Sequence, residues 1–231
     1  MANKWVLGAR PRTLAAAIAP VLVATAFAGS DWKPFPAALA LLVSLSLQIG
    51  VNYANDYSDG IRGTDDSRIG PISLTATGLA SAKSVKNAAF ISFFVAAIAG
   101  LVLALQTSWW LIAVGVLAIA AAWGYTGGSS PYGYKGLGEI SVFLFFGIVA
   151  TVGSYYVQTE ELNIQIFIVA VPMGALACAI LAINNLRDRG QDELVGKRTM
   201  AVRLGDKGAR ALYISLLIAR IEASSHISMR Y

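Results

Sequence analysis

The chain has 231 residues, is 56% hydrophobic and only 13% charged, and carries a formal net charge of +5. A soluble domain holds about 25% charged residues, and here the deficit falls in long uncharged runs, so a soluble fold is excluded and a polytopic membrane protein is indicated. The single cysteine, Cys178, cannot close an internal disulfide, and the single histidine, His226, lies in a polar tail and offers no histidine metal site.

Apolar segments fall at about 14–29, 35–54, 88–105, 108–125, 138–157 and 164–185. Most approach the roughly 20 residues that carry a helix across the hydrocarbon, and backbone groups in lipid must be paired internally, so helices are expected. Arg10, Arg12 and the Ala26-Phe27-Ala28 run imitate a cleavable signal peptide. The length of the run and the five spans behind it favour an uncleaved first anchor. A seventh apolar stretch begins near Ala209 and reaches only Ala219 before Arg220, too short to cross alone. Residues 1–219 are expected to form the membrane domain and 220–231 a polar tail outside it, as in a chain truncated relative to a larger design.

Charge alternates between the links. Fifteen basic residues lie before span 1 and in the links after spans 2, 4 and 6, whereas the opposite links hold only Lys33 beside Asp31, Glu160 and Glu161. The positive-inside rule places the N-terminus and the links after spans 2, 4 and 6 in the cytoplasm, giving a multi-pass protein of the cell membrane.

Two acidic clusters close spans 2 and 6. The first is Asn52-Tyr-Ala-Asn55-Asp56-Tyr-Ser-Asp59, with Asp65 and Asp66 beyond it; the second is Asn184-Asn185-Leu-Arg-Asp188-Arg-Gly-Gln-Asp192. Residues four apart share a helix face, so Asn55 aligns with Asp59, and Asn184 with Asp188 and Asp192. Carboxylates beside a bilayer are costly and mark function by default. Singly, each would pass for a solvated helix end; two clusters on one membrane side suggest divalent metal and phosphate, which magnesium shares with one or two carboxylates. Carboxylates along an ion path of a cation transporter are the competing reading, but that reading expects them near the bilayer midplane.

Basic side chains flank both clusters: Arg62 and Arg68 after the first, Arg187, Arg189, Lys197 and Arg198 around the second. Arginine grips phosphate bidentately and lysine acts as a point charge. The same charges satisfy the positive-inside bias, so some serve orientation and some ligand. The link of about 30 residues after span 2 is long for a tight bundle and is expected to cap a site. The link from Tyr125 to Glu139 is rich in glycine and tyrosine and holds Lys135. Its tyrosines either anchor the interface or face a cation in a cavity.

Asn55-Asp-Tyr-Ser-Asp59 with Asp65, together with Asp188-x-x-x-Asp192, resembles the two aspartate motifs of UbiA-type intramembrane prenyltransferases. Asn55 to Asp66, Arg68-Ile-Gly-Pro71, Pro131-Tyr-Gly-Tyr134 and Gly136-Leu-Gly-Glu139 look like the menaquinone branch, which prenylates 1,4-dihydroxy-2-naphthoate. The resemblance covers Arg10 to about Ala219. It implies an all-α bundle of nine transmembrane helices, of which about six and a half are present, around a lipid-accessible cavity. It implies Mg²⁺ held by Asn55, Asp59, Asp65, Asp66, Asp188 and Asp192, with Arg62, Arg68, Lys135, Arg187, Lys197 and Arg198 on the diphosphate. Asp59, Asp188, Tyr125 and Tyr132 are the catalytic residues expected from it. The implied reaction transfers a polyprenyl group from its diphosphate to the naphthoate with loss of the carboxylate, another aromatic acceptor being the alternative. The implied partners are these two substrates and the bilayer, with no nucleic acid. Where family members carry a Lys or Arg after the tyrosine of the fourth link, Ser129 and Ser130 follow Tyr125 here, and the nearest base is Lys135.

Overall fold

A computed structural model describes residues 3–64 and 70–228 of the chain, with side chains as far as Ala219. Asp65, Asp66 and Arg68 lie outside the described residues. The described residues form helices and connecting turns, with no strand among them.

Helix α1 (Lys4–Ala9) starts where the Asn3 side chain accepts the Trp5 N–H at 2.9 Å. It stops at Arg10, whose φ of 52° is left-handed and which precedes a proline; a residue before proline is pushed out of helical geometry. A 3₁₀ turn, Pro11–Thr13, leads to α2 (Ala15–Phe27). The first span is therefore a pair of segments bent by 53° rather than one rod, and its elbow carries Arg10 and Arg12.

Helix α3 (Pro34–Ile61), α4 (Ala82–Gln106) and α5 (Trp110–Gly124) follow. Next come α6 (Gly138–Val142), a π-helical stretch (Phe143–Val149) and α7 (Ala150–Thr159), which run on as one 22-residue span. Helix α8 (Ile164–Leu194) is capped by Asn163, whose side chain accepts the Ile166 N–H at 2.9 Å. The backbone of α9 (Met200–Ser228) is kinked at Gly205 and stays helical past Ala219. Four of these spans are long and apolar enough to cross a membrane, five with the bent first pair. Helix α5, expected over 108–125, has only 15 residues because the Ser108–Trp109 turn and the Tyr125 link consume its ends.

Two helices outrun their apolar stretches. Span 2 is apolar to about residue 54 and span 6 to about 185, yet α3 continues to Ile61 and α8 to Leu194. At 1.5 Å per residue these helices measure roughly 42 and 46 Å, against about 30 Å of hydrocarbon. Their last turns, which hold the acidic clusters, thus project past the apolar layer.

On α4 a small residue sits inside and a large one faces outward: Ala89 is fully buried, while Phe94, five residues on and so on another face, is 65% exposed. Helices in lipid gain little from burying apolar surface and associate instead through close contact of small residues. Gly147 of the π stretch shows the limit, since a Cβ there would come within 2.5 Å of Gly174 Cα on α8. Several buried polar groups are paired across helices, which offsets the cost of burying them. Ser44 donates to the Ala17 carbonyl at 2.8 Å, and Asn52 donates to the Ala9 carbonyl at 2.8 Å and to Thr13 at 3.0 Å, fastening the elbow of the first span to α3. The multi-pass bundle so formed encloses a cavity of about 890 Å³.

Candidate active site

The cavity has an apolar body and a charged mouth. Its body is lined by α3 (Val43, Leu47), α5 (Val114, Ala118), the π stretch (Phe145, Phe146) and α8 (Leu181). Asn184, Asn185, Arg187, Asp188, Asp192 and Lys197 line the mouth, with Arg10 and Arg12 on the elbow side.

Spans 2 and 6 meet at this mouth through a third element. Lys197, in the turn between α8 and α9, places its ammonium 3.7 Å from Asp59 Oδ2 and 3.6 Å from Asp192 Oδ1. The Tyr134 ring lies beneath that ammonium at 5.0 Å, and the Tyr134 hydroxyl donates to Asp59 Oδ1. Asp59 and Asp192 are both almost fully buried. Carboxylates from sequence positions far apart thus face one cation, the Lys197 ammonium. Tyr134, part of the quoted Pro-Tyr-Gly-Tyr motif, was not among the expected site residues; only contact across elements reveals its role. Burial foremost, and then the charge of Asp59, hold its phenol well above the ordinary tyrosine range, so it stays a neutral donor.

The other expected residues fall into distinct groups. Asp188 is gripped by its neighbour, with Arg187 Nε and Nη2 each 2.7 Å from a carboxylate oxygen. Arg187 Nη1 also donates to Asn184 Oδ1 at 3.2 Å. Asn55 accepts the Thr126 hydroxyl at 2.7 Å. Arg62 does not line the cavity: it donates to the Thr126 carbonyl at 2.6 Å and to that of Gly128, and stacks over Tyr134, pinning the link after α5. Lys135 and Arg198 are exposed and also stand outside the cavity wall. Tyr125 and Tyr132 both line it, their rings edge to face at 5.6 Å. Tyr132 is anchored by its hydroxyl on the Ala121 carbonyl at 2.8 Å. Burial raises both phenols above their ordinary value, and nearby Glu139 adds to the rise at Tyr125.

Asp56, inside the first motif, has a different task. It is fully buried and accepts the Leu74 N–H at 2.7 Å, the Thr75 N–H at 2.9 Å and the Ser73 hydroxyl at 3.1 Å. These bonds draw the segment after Gly70 back onto α3, and Gly70, Pro71 and Ile72 become part of the cavity wall. Of the long link expected to cap a site, the described residues 70–72 thus stand against the cavity.

A divalent cation suits this mouth. Lys197 stands between Asp59 and Asp192 as a cation already does, and both carboxylates offer the hard oxygen ligands that magnesium takes. Among the described residues no three His, Cys, Asp or Glu side chains form a ready metal cage.

A charged mouth over an apolar cavity suits an amphiphilic ligand with a charged head, and so a membrane protein that handles such molecules. The model of the UbiA prenyltransferase family matches residues 17–223, and the chain belongs to that family. It is 54% identical over 219 residues to the 1,4-dihydroxy-2-naphthoate octaprenyltransferase of Mycobacterium tuberculosis, covering 93% of this chain and 74% of that protein. It is 39% identical to the enzyme of the same name from Escherichia coli, covering 94% and 73%. In fold it matches a UbiA homolog from Archaeoglobus fulgidus bound to DMAPP and Mg²⁺, with a TM-score of 0.76, 15% identity, and coverage of 99% of this chain and 79% of that one. The chain is a prenyltransferase, and the transport reading is set aside.

Proposed function

We propose that this protein transfers a polyprenyl group from a polyprenyl diphosphate to 1,4-dihydroxy-2-naphthoate, with loss of the carboxylate, in menaquinone synthesis. The relatives that carry that name support the substrate pair. The observation that carries the chemistry is the joining of Asp59 and Asp192 by Lys197 at the mouth of an apolar cavity.

In this reading the diphosphate sits at the mouth, on the cytoplasmic side of the cell membrane, and the isoprenoid tail lies in the cavity body. Lys197 and Arg187 turn from their carboxylates to the phosphate oxygens and neutralise charge as the allylic C–O bond breaks. Asp59, Asp188 and Asp192, with Asn55, Asp65 and Asp66, would hold Mg²⁺, which when bound supplies Lewis-acid neutralisation of the leaving diphosphate. The rings of Tyr125 and Tyr132 offer their faces to the positive charge that develops on the allyl group. Phe145, Phe146 and the aliphatic wall keep water from that charge, so the electron-rich ring captures it.

The test is direct. The chain, reconstituted in vesicles with farnesyl diphosphate, Mg²⁺ and 1,4-dihydroxy-2-naphthoate, is expected to form a prenylated, decarboxylated naphthoquinol visible by mass spectrometry. Product from a different aromatic acid, with none from the naphthoate, would replace the acceptor; no product from any acceptor would remove the reading.

A further inference from the structure

We infer that Asn185, held in one orientation by Glu139, reads a ring hydroxyl of the aromatic acceptor, an inference that rests on the prenyl-transfer reading above. Glu139, at the start of α6, is 9% exposed. Its Oε1 accepts from Asn185 Nδ2 at 3.1 Å. The amide end turned to Glu139 is the NH₂, the end that a carboxylate acceptor calls for. The remaining Oε2 of Glu139 is buried without a partner among the described residues. Among the described residues Asn185 is thus the only side-chain donor to Glu139, and rotating it away would leave that buried carboxyl without its bond.

The orientation leaves Asn185 Oδ1 for the cavity that the residue lines, with no protein donor to it among the described residues. Beside it Ile180 and Leu181 line the same wall with hydrocarbon. A carbonyl oxygen set against an isoprenoid chain would lose its hydrogen bond to water and gain nothing. The ligand group that suits it is a donor. Asn185 stands three residues before Asp188, hence about one helical turn further along α8 toward the cavity body than that carboxylate. That is the level at which an acceptor ring must approach the allylic carbon next to the diphosphate. The neighbouring Asn184 has the opposite polarity, its Oδ1 being taken by Arg187. Asn185 alone of the two therefore offers an oxygen.

Steady-state kinetics of the full chain in vesicles, with farnesyl diphosphate, Mg²⁺, the dihydroxynaphthoate and its two mono-O-methyl ethers, test this. One ether should fall by roughly 10²-fold or more in kcat/KM with the wild-type protein, because a site built to bond a hydroxyl rejects an analogue lacking it. Glu139→Leu and Asn185→Leu should each raise the KM of the free acid by about tenfold, leave the KM of farnesyl diphosphate in place, and narrow that discrimination. Glu139→Gln, whose amide oxygen can still accept from Asn185, should keep it. Unaltered discrimination in the leucine variants, or a parallel rise in both KM values, overturns the inference while prenyl transfer stands. Should Glu139→Leu not fold, Asn185→Leu decides alone. A wild-type protein that prenylates no hydroxylated acceptor removes both readings.

Discussion

The C-terminal turns of α3 and α8 carry the same Asn-to-Asp spacing, yet they are built for different work. On α3 the acids are occupied by protein. Asp56 clamps the segment at 73–75, and Asp59 is covered by Tyr134 and Lys197. On α8, Asn184, Asn185, Asp188 and Asp192 all line the cavity; the cations Arg187 and Lys197 partner Asn184, Asp188 and Asp192, while Glu139 partners Asn185. One helix end scaffolds the site and the other presents it. Sequence spacing alone makes a face; the neighbours of that face make a role.

The sharpest break of this comparison is charge removal at the presented and bridged acids. Asp188→Asn and Asp59→Asn should each lower prenyl transfer by roughly 10²- to 10³-fold, with far-ultraviolet circular dichroism unchanged. Full turnover by either variant would end the assignment of these carboxylates to the reaction. Asp56→Ala should act on stability instead. Loss of an acceptor that serves three buried donors is expected to cost about 3 kcal/mol, read as an earlier thermal transition in detergent, with the remaining folded fraction still able to bind prenyl diphosphate. Lys197→Met removes the link between the two helix ends. Its KM for prenyl diphosphate should rise about tenfold, while Mn²⁺ binding measured without diphosphate should tighten, because the carboxylates lose a competing cation. Tyr134→Phe, which deletes one hydrogen bond to Asp59 and keeps the ring under Lys197, should give the smallest change, roughly fivefold in kcat.

Much of the architecture was legible beforehand. All six expected spans have a helix, because a run of apolar residues of membrane length has few alternatives to one. The two departures have local causes. Pro11 breaks the first span into a bent pair, and the link after α5 takes the last turn of that helix. Among the expected site residues, Asp59, Asp188, Asp192, Arg187, Lys197, Tyr125 and Tyr132 lie at or around the cavity mouth. Arg62, Lys135 and Arg198 do not line the cavity: a cationic side chain in a link looks the same in sequence whether it meets a ligand, a backbone carbonyl or water. Tyr134 and the Glu139–Asn185 pair were missed for the same reason, since neither partner is near the other along the chain.

The sequence by itself determined the helical membrane class, the span positions and the two acidic ends, because hydropathy and charge act over a few neighbouring residues. Only the tertiary structure decided that Asp56 holds a loop, that Lys197 unites Asp59 with Asp192, and that the Asn185 amide is tied to Glu139. Those roles depend on hydrogen-bond partners brought from other helices, and spacing within one helix carries no record of them.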